Sequence, residues 1–223
     1  MATTSLALLL RGTKAPNQPI APVEYDQRFQ DQFSNVLRLY FNTLDNFTNT
    51  LTNTAGGGNL RFPYGAFQDT TTQTTTANTA KVITFNQTDF TNGISLVSGS
   101  KLTVTVPGIY NLQFSVQLSS LDNAPTDTSI WLRQGNDGGA SADIVGSTGL
   151  LGMPPRQSAL NPYHDIKGWN YFISMAANDY VQIYWSTTSD YVTITEYAIS
   201  ASPTRPSTAS VVATMSFVSA LYA

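Results

Sequence analysis

Along residues 104–119, VTVPGIYNLQFSVQLS, apolar and polar side chains take turns. Tyr110, Leu112, Phe114, Val116 and Leu118 hold one parity, and Asn111, Gln113, Ser115, Gln117 and Ser119 the other. A period of two is the signature of a β-strand with one buried face. The second face consists of uncharged amides and hydroxyls, a composition that suits either water or another protein chain. Further strands are predicted at 81–85, 101–106, 129–134, 169–175, 180–186, 191–197 and 211–221. Between them lie turn formers: Asn92-Gly93, Pro107-Gly108, NDGG at 136–139, Asn178-Asp179 and Ser189-Asp190. Pro107 ends one strand with a fixed φ, and Gly108 is expected to permit the reversal into its partner. Many short strands without intervening helices predict a mainly β fold, an antiparallel jelly-roll sandwich, over residues 59–223.

A different period governs residues 22–58. Phe33, Leu37, Tyr40, Leu44, Phe47 and Leu51 are spaced 4, 3, 4, 3 and 4, a heptad seam that Val36 and Phe41 widen. No Gly or Pro interrupts the run; Pro22 suits the first turn, and Glu24, Asp26 and Asp31 lie toward the positive end of the helix dipole. One N-terminal α-helix is therefore expected, ended by Gly56, Gly57 and Gly58, which also supply a hinge. The wide aromatic stripe favours a self-associated bundle of more than two strands, with packing on the chain's own β domain as the alternative. Residues 1–21, with Pro16 and Pro19, read as an extended anchoring arm. The apolar run SLALLL at 5–10 falls short of the roughly 7 to 15 residues of a secretory core and runs straight into Arg11, so it reads as a docking element. The tract DTTTQTTTANT at 69–79 is low in complexity and is expected to be an ordered edge or loop.

Composition narrows the chemistry. Charged residues make up 11% of the chain, well below the usual quarter or so, and the 11 basic residues form no cluster that would track a phosphate backbone. Nucleic acid is not an expected partner. With no cysteine there is neither a disulfide nor a thiolate metal site. His164 is the only histidine, and Glu24 and Glu196 are the only glutamates. His164-Asp165 sits in a polar segment with no nucleophile-elbow motif in the chain. Asp122, Asp127, Asp137, Asp143, Asp165, Asp179 and Asp190 occupy turn-like sites, where Asp is favoured for its local backbone bonds. No catalytic, cofactor-binding or metal-binding residue is assigned, and the protein is not expected to be an enzyme. Trp131, Tyr163, Trp169, Tyr184 and Trp185 are suited either to stacking on a sugar or protein surface or to filling the core.

Four stretches, in order, carry a family resemblance. KLTVTVPGIY at 101–110 resembles the "pGxY" strand pair of the complement globular-head and tumour-necrosis-factor-like trimeric jelly rolls. IWLRQGNDG at 130–138 is similar to their "lxxNG" hairpin, ANDYVQI at 177–183 to their "xGDyVxl" strand, and MSFVSAL at 215–221 to their terminal "FsGxxL" strand. Asn178 stands where a Gly is usual, and Ser219-Ala220 replaces the small Gly turn. The resemblance covers about residues 60–223. Trp131, WNY at 169–171 and DYVQIYWS at 179–186 resemble the versions encoded by bacteriophages, while YDQRF at 25–29 and LYFN at 39–42 are similar to an N-terminal segment of phage virion proteins.

The resemblance implies a homotrimer around a threefold axis, with the strand after Pro-Gly and the C-terminal strand near that axis. Tyr110, Phe114, Phe217 and Tyr222 are then expected at the trimer interface beside the helix seam, and Gln113 joins them if the amide-rich face meets its symmetry mates. The expected function is that of a non-enzymatic structural protein located in the virion, a short fibre or a decoration protein. Residues 1–58 would attach it to other virion proteins, and the knob would serve host attachment, through a surface glycan or protein, or capsid coating. Membrane insertion is not expected. A secreted or surface recognition module for glycans or a protein receptor is the alternative, disfavoured by the missing cysteine and signal sequence. No cofactor is expected; relatives in this family sometimes hold calcium near the trimer top, but Asp122, Asp127 and Asp137 show no ligand spacing.

Overall fold

Asp26 opens the one helix found among the described residues, α1 (Gln27–Thr52). Its carboxylate accepts the Arg28 N–H at 2.8 Å and its carbonyl accepts the Gln30 N–H at 3.1 Å, so it acts as the N-cap. The helix thus starts five residues later than Pro22, because a side-chain cap satisfies the first free N–H groups where Pro22 offers none. The computed structural model describes residues 15–20, 22–52, 62–136 and 138–220. The expected docking run at 5–10, the Gly56 to Gly58 hinge, Asp137, Tyr222 and the side chain of Leu51 lie outside the described set. Two units separate, Met1–Arg61 and Phe62–Ala223.

The described residues of the second unit form strands joined by turns and loops. In chain order its strands are β1 (Tyr64–Asp69), β2 (Gln73–Thr74), β3 (Lys81–Val82), β4 (Gln87–Asn92), β5 (Ile94–Val97), β6 (Lys101–Val104), β7 (Gly108–Ser120) and β8 (Thr126–Asn136). They continue with β9 (Ser141–Asp143), β10 (Gly149–Met153), β11 (Tyr163–Met175), β12 (Asp179–Thr187), β13 (Val192–Ile194), β14 (Ser200–Ala201), β15 (Thr204–Arg205) and β16 (Val211–Ser219). Two seven-stranded antiparallel sheets result. The first runs β11-β7-β16-β1-β4, with β13 and β2 continuing along the β16 side of β7. The second runs β10-β8-β12-β6-β5, with β9 on β8 and β3 on β12. The long strands cross between sheets at nearly every step, β6 to β7 to β8 and β11 to β12 to β16, which gives the expected jelly-roll sandwich.

The crossings place the core between the sheets. Tyr110, Leu112, Phe114, Val116 and Leu118 of β7 face Leu132, Val181, Ile183 and Trp185 of the second sheet, all buried. The Pro107-Gly108 step differs from its expected role. β6 and β7 are not partners but lie in different sheets, and Gly108 does not adopt a positive φ. A Cβ there would meet Phe217 Cε2 at 2.4 Å and the Ser219 carbonyl at 2.8 Å. Gly108 is needed because the last strand packs directly against its backbone.

The Thr-rich tract is ordered by a buried acid. Asp69, 1% exposed at the end of β1, accepts the N–H and hydroxyl of Thr71, both at 2.6 Å, and the Gln73 side-chain amide at 3.0 Å. The Gln73 amide in turn mimics a ladder rung, donating to the Thr84 carbonyl at 2.9 Å and accepting the Thr84 N–H at 3.0 Å. Removing the carboxylate strands these donors in a buried site. Asp69→Ala is expected to destabilise the second unit by about 2–4 kcal/mol in urea unfolding, with faster proteolysis inside residues 70–80. A change below about 0.5 kcal/mol would show that the tract is held by something else.

Candidate functional site

β7 has both edges paired: β11 along its whole length, from Tyr163↔Ser120 to Met175↔Gly108, and β16 then β13 on the other side. Its outward side chains therefore form rows with those of its neighbours. Gly168, Ser115 and Val212 make one row, Asn170, Gln113 and Thr214 the next, and Phe172, Asn111 and Ser216 a third. No Asp, Glu, Lys or Arg points outward from β7, β11 or β16; His164 alone can carry charge there. Four apolar side chains stud the face, Ile166, Phe172, Val218 and Val212, at 66%, 59%, 50% and 40% exposure. Gly168 keeps one row flat, since a Cβ would strike the Phe114 carbonyl at 2.4 Å.

Two further features distinguish this face. The Oδ1 of Asn111, in the row with Phe172 and Ser216, is buried and has no hydrogen-bond partner, a condition that costs on the order of 1–3 kcal/mol. β11 is an edge strand for all 13 of its residues. Natural sheets blunt such edges with charge, proline or short length. β11 carries fixed charge only on its inward parity, as the Asp165–Lys167 pair, and its outward side chains include Ile166 and Phe172.

The outward face of the second sheet contrasts sharply. Trp131 and Tyr184, cross-strand partners on β8 and β12, stack with ring centroids 5.8 Å apart. Arg133 lies over the Tyr184 ring at 4.3 Å and its Nε pairs with Asp143 at 2.7 Å; the indole N–H of Trp131 donates to the same carboxylate oxygen at 3.1 Å. Lys101 lies over Tyr180 at 4.3 Å. Cations over rings and a half-exposed ion pair are features that tolerate water. The Arg133 hydrogen bond, followed by that of Trp131, holds the Asp143 carboxyl below its ordinary range.

The expected interface residues divide. Gln113 is exposed on the outward face, whereas Tyr110 and Phe114 are taken into the sandwich, with the Tyr110 hydroxyl donating to the Val106 carbonyl at 2.7 Å. Parity decides this, because they share the inward side of β7 and cannot reach a partner. Burial pushes the Tyr110 phenol up. Phe217 is half-buried, edge-on to Tyr110 and stacked on Phe62. On α1, Phe33, Leu37, Tyr40, Leu44 and Phe47 are all half-exposed and Phe41 is 57% exposed, so the helix leaves its own stripe uncovered.

The candidates for chemistry are absorbed locally. Trp185 is in the core, and Trp169 packs edge-on to Phe114 at 4.8 Å. Asp122 accepts the Ser189 hydroxyl and the Ala124 N–H, which lower its pKa, and Asp179 accepts from the Gln134 and Asn136 side chains and the Ala176 N–H. Among the described residues no group of three or more His, Asp or Glu is placed to hold a metal ion. No protein-family model matches the chain, and no curated protein matches it either.

The ion pair on the second sheet sets a pH dependence. A carboxyl whose folded pKa is depressed contributes stability above the unfolded value of about 4, and that contribution is lost as pH falls through the folded value. The wild type should therefore unfold at a higher temperature than Asp143→Asn at pH 7, and the gap should close as the pH is lowered from about 4 toward 2. A gap that stays constant over that range would contradict the assigned pairing.

Proposed function

We propose that this chain is a non-enzymatic structural protein of a bacteriophage particle, a homotrimer with a jelly-roll knob, used as a short fibre or as a decoration of the capsid. The observation that carries the assembly is the charge-free outward face of β7, β11 and β16. A solvated sheet face of this size ordinarily alternates toward charged residues, as the second sheet does here with Arg133, Asp143 and Lys101. A neutral, amide-rich, partly apolar face with an unpaired Asn111 oxygen suits a partner of the same kind.

Two further observations support a closed assembly. The strand after Pro-Gly and the C-terminal strand, β7 and β16, are neighbours in the middle of this face, where the family resemblance would put them near a threefold axis. The helix independently presents a heptad stripe that a lone helix cannot bury. The virion assignment rests on the phage-like stretches around Trp131, Trp169 and Asp179 to Ser186, and the anchoring role is given to residues 1–58. The knob is left as the part that meets the host or coats the shell.

The test is a single charge at the centre of the face. Gln113→Glu places one carboxylate per chain among Asn170 and Thr214 without touching the core. Thermal unfolding of the isolated second unit, residues 62–223, should change little, while the midpoint concentration for self-association of the full chain, read by light scattering, should rise on the order of tenfold or more. Unchanged association would remove this face from the interface.

A further inference from the structure

Between β13 and β16 the chain leaves the sheet and returns. The excursion is clasped at its base by Tyr197 and Thr208, which exchange backbone hydrogen bonds of 3.4 and 2.8 Å, and its tip is the β14–β15 hairpin that carries Arg205. Loops closed in this way, standing on a rigid sheet, are frequent binding elements. The excursion borders, with the end of β7 and the start of β11, an open cleft of about 640 Å³, a size suited to one or two sugar rings.

The lining is selective. Arg205 reaches the cavity with no ion-pair partner among the described residues, and the one carboxylate in the lining, Asp165, is engaged from outside it by Lys167 at 2.8 Å. The Arg205 guanidinium is left unpaired. His164, the only histidine, is fixed by a 2.6 Å hydrogen bond between its Nδ1 and the Tyr197 hydroxyl, with the two rings edge to face at 5.4 Å. If Tyr197 donates, the other ring nitrogen carries the hydrogen and is a donor. Gln117 spends its amide N–H on the Ala209 carbonyl at 3.1 Å and keeps its oxygen as an acceptor. Thr208 has a buried hydroxyl oxygen with no partner. Ile166, 66% exposed, adds an apolar wall.

We propose that this cavity binds a carboxylate-bearing sugar residue, with Arg205 and His164 on the carboxylate and Tyr197 and Ile166 against the ring. The unpaired Arg205 guanidinium calls for an anion, the acceptor on Gln117 and the hydroxyl of Tyr197 call for ligand hydroxyls, and the apolar wall calls for a C–H face. A bare inorganic anion would leave the wall and the Gln117 oxygen unused. The site lies at one end of the neutral face, at the end of β7 and the start of β11, and shares Ile166 with it.

The experiment titrates the intact chain with the methyl glycosides of N-acetylneuraminic acid and glucuronic acid, with methyl glucoside and inorganic phosphate alongside, by calorimetry and saturation-transfer NMR. At least one acid should bind in the millimolar range, methyl glucoside should not, and Arg205→Ala should weaken the acid about tenfold or more. Tyr197→Phe, which frees the His164 ring, should weaken it severalfold with the fold intact by circular dichroism. No binding of either acid up to about 10 mM, equal binding by Arg205→Ala, or phosphate binding as well as the acids would each overturn the proposal. Sedimentation of the same samples reads assembly separately, so loss of one property leaves the other measurable.

Discussion

The structure of the second unit depends on one strand being paired on both sides. β7 is held along all 13 residues by β11 and by β16 then β13. That pairing fixes parity, and parity fixes everything else about the strand. A slip of one residue would bring Asn111, Gln113 and Gln117 into the core and put Tyr110, Leu112 and Phe114 outside. The same register that fills the core with aromatic and aliphatic groups therefore sets out a neutral face of amides and hydroxyls. Gly108 and Gly168 belong to this constraint as well, since each lets a neighbouring segment approach the β7 backbone where a Cβ would clash.

This explains what was legible in the sequence. Strict alternation over Tyr110 to Ser119, the heptad spacing on α1 and the core strands β12 and β16 are periodic signals, and each is recovered with ends shifted by one to a few residues. The short or exposed strands are not periodic. β4, QTDFTN, is exposed at nearly every position, and β10, GLLGM, alternates in burial while its residue types do not, with Leu150 exposed beside a half-buried Leu151. β11 starts six residues earlier than its Trp169 to Met175 signal, because its first half is held by backbone pairing to β7.

The site residues were less legible for a related reason. Tyr110 and Phe114 are aromatic and conspicuous, yet their parity commits them to the core; Gln113, between them, carries the outward face. The Arg133, Asp143, Trp131 and Tyr184 cluster joins three strands, and the His164, Tyr197 and Arg205 cavity joins a strand to a loop more than thirty residues on. Such groupings depend on sheet order, which local pattern does not encode. Asp69 is the clearest case: a turn-like acid at the head of a low-complexity tract proves to be the buried acceptor that orders it.

The two outward faces thus divide the knob by chemistry. One bears ion pairs and cations over rings, as a solvated surface does, and the other is neutral, studded with Ile166 and Phe172 and bounded by a long open edge. The apolar stripe of α1 is a separate surface that the helix cannot bury by itself. The proposed symmetric assembly would bury both at once. Sedimentation equilibrium of the full chain at micromolar concentration measures this directly. The account predicts a single species of about three times the 24.2 kDa chain mass, and a species that stays at the mass of one chain would contradict it.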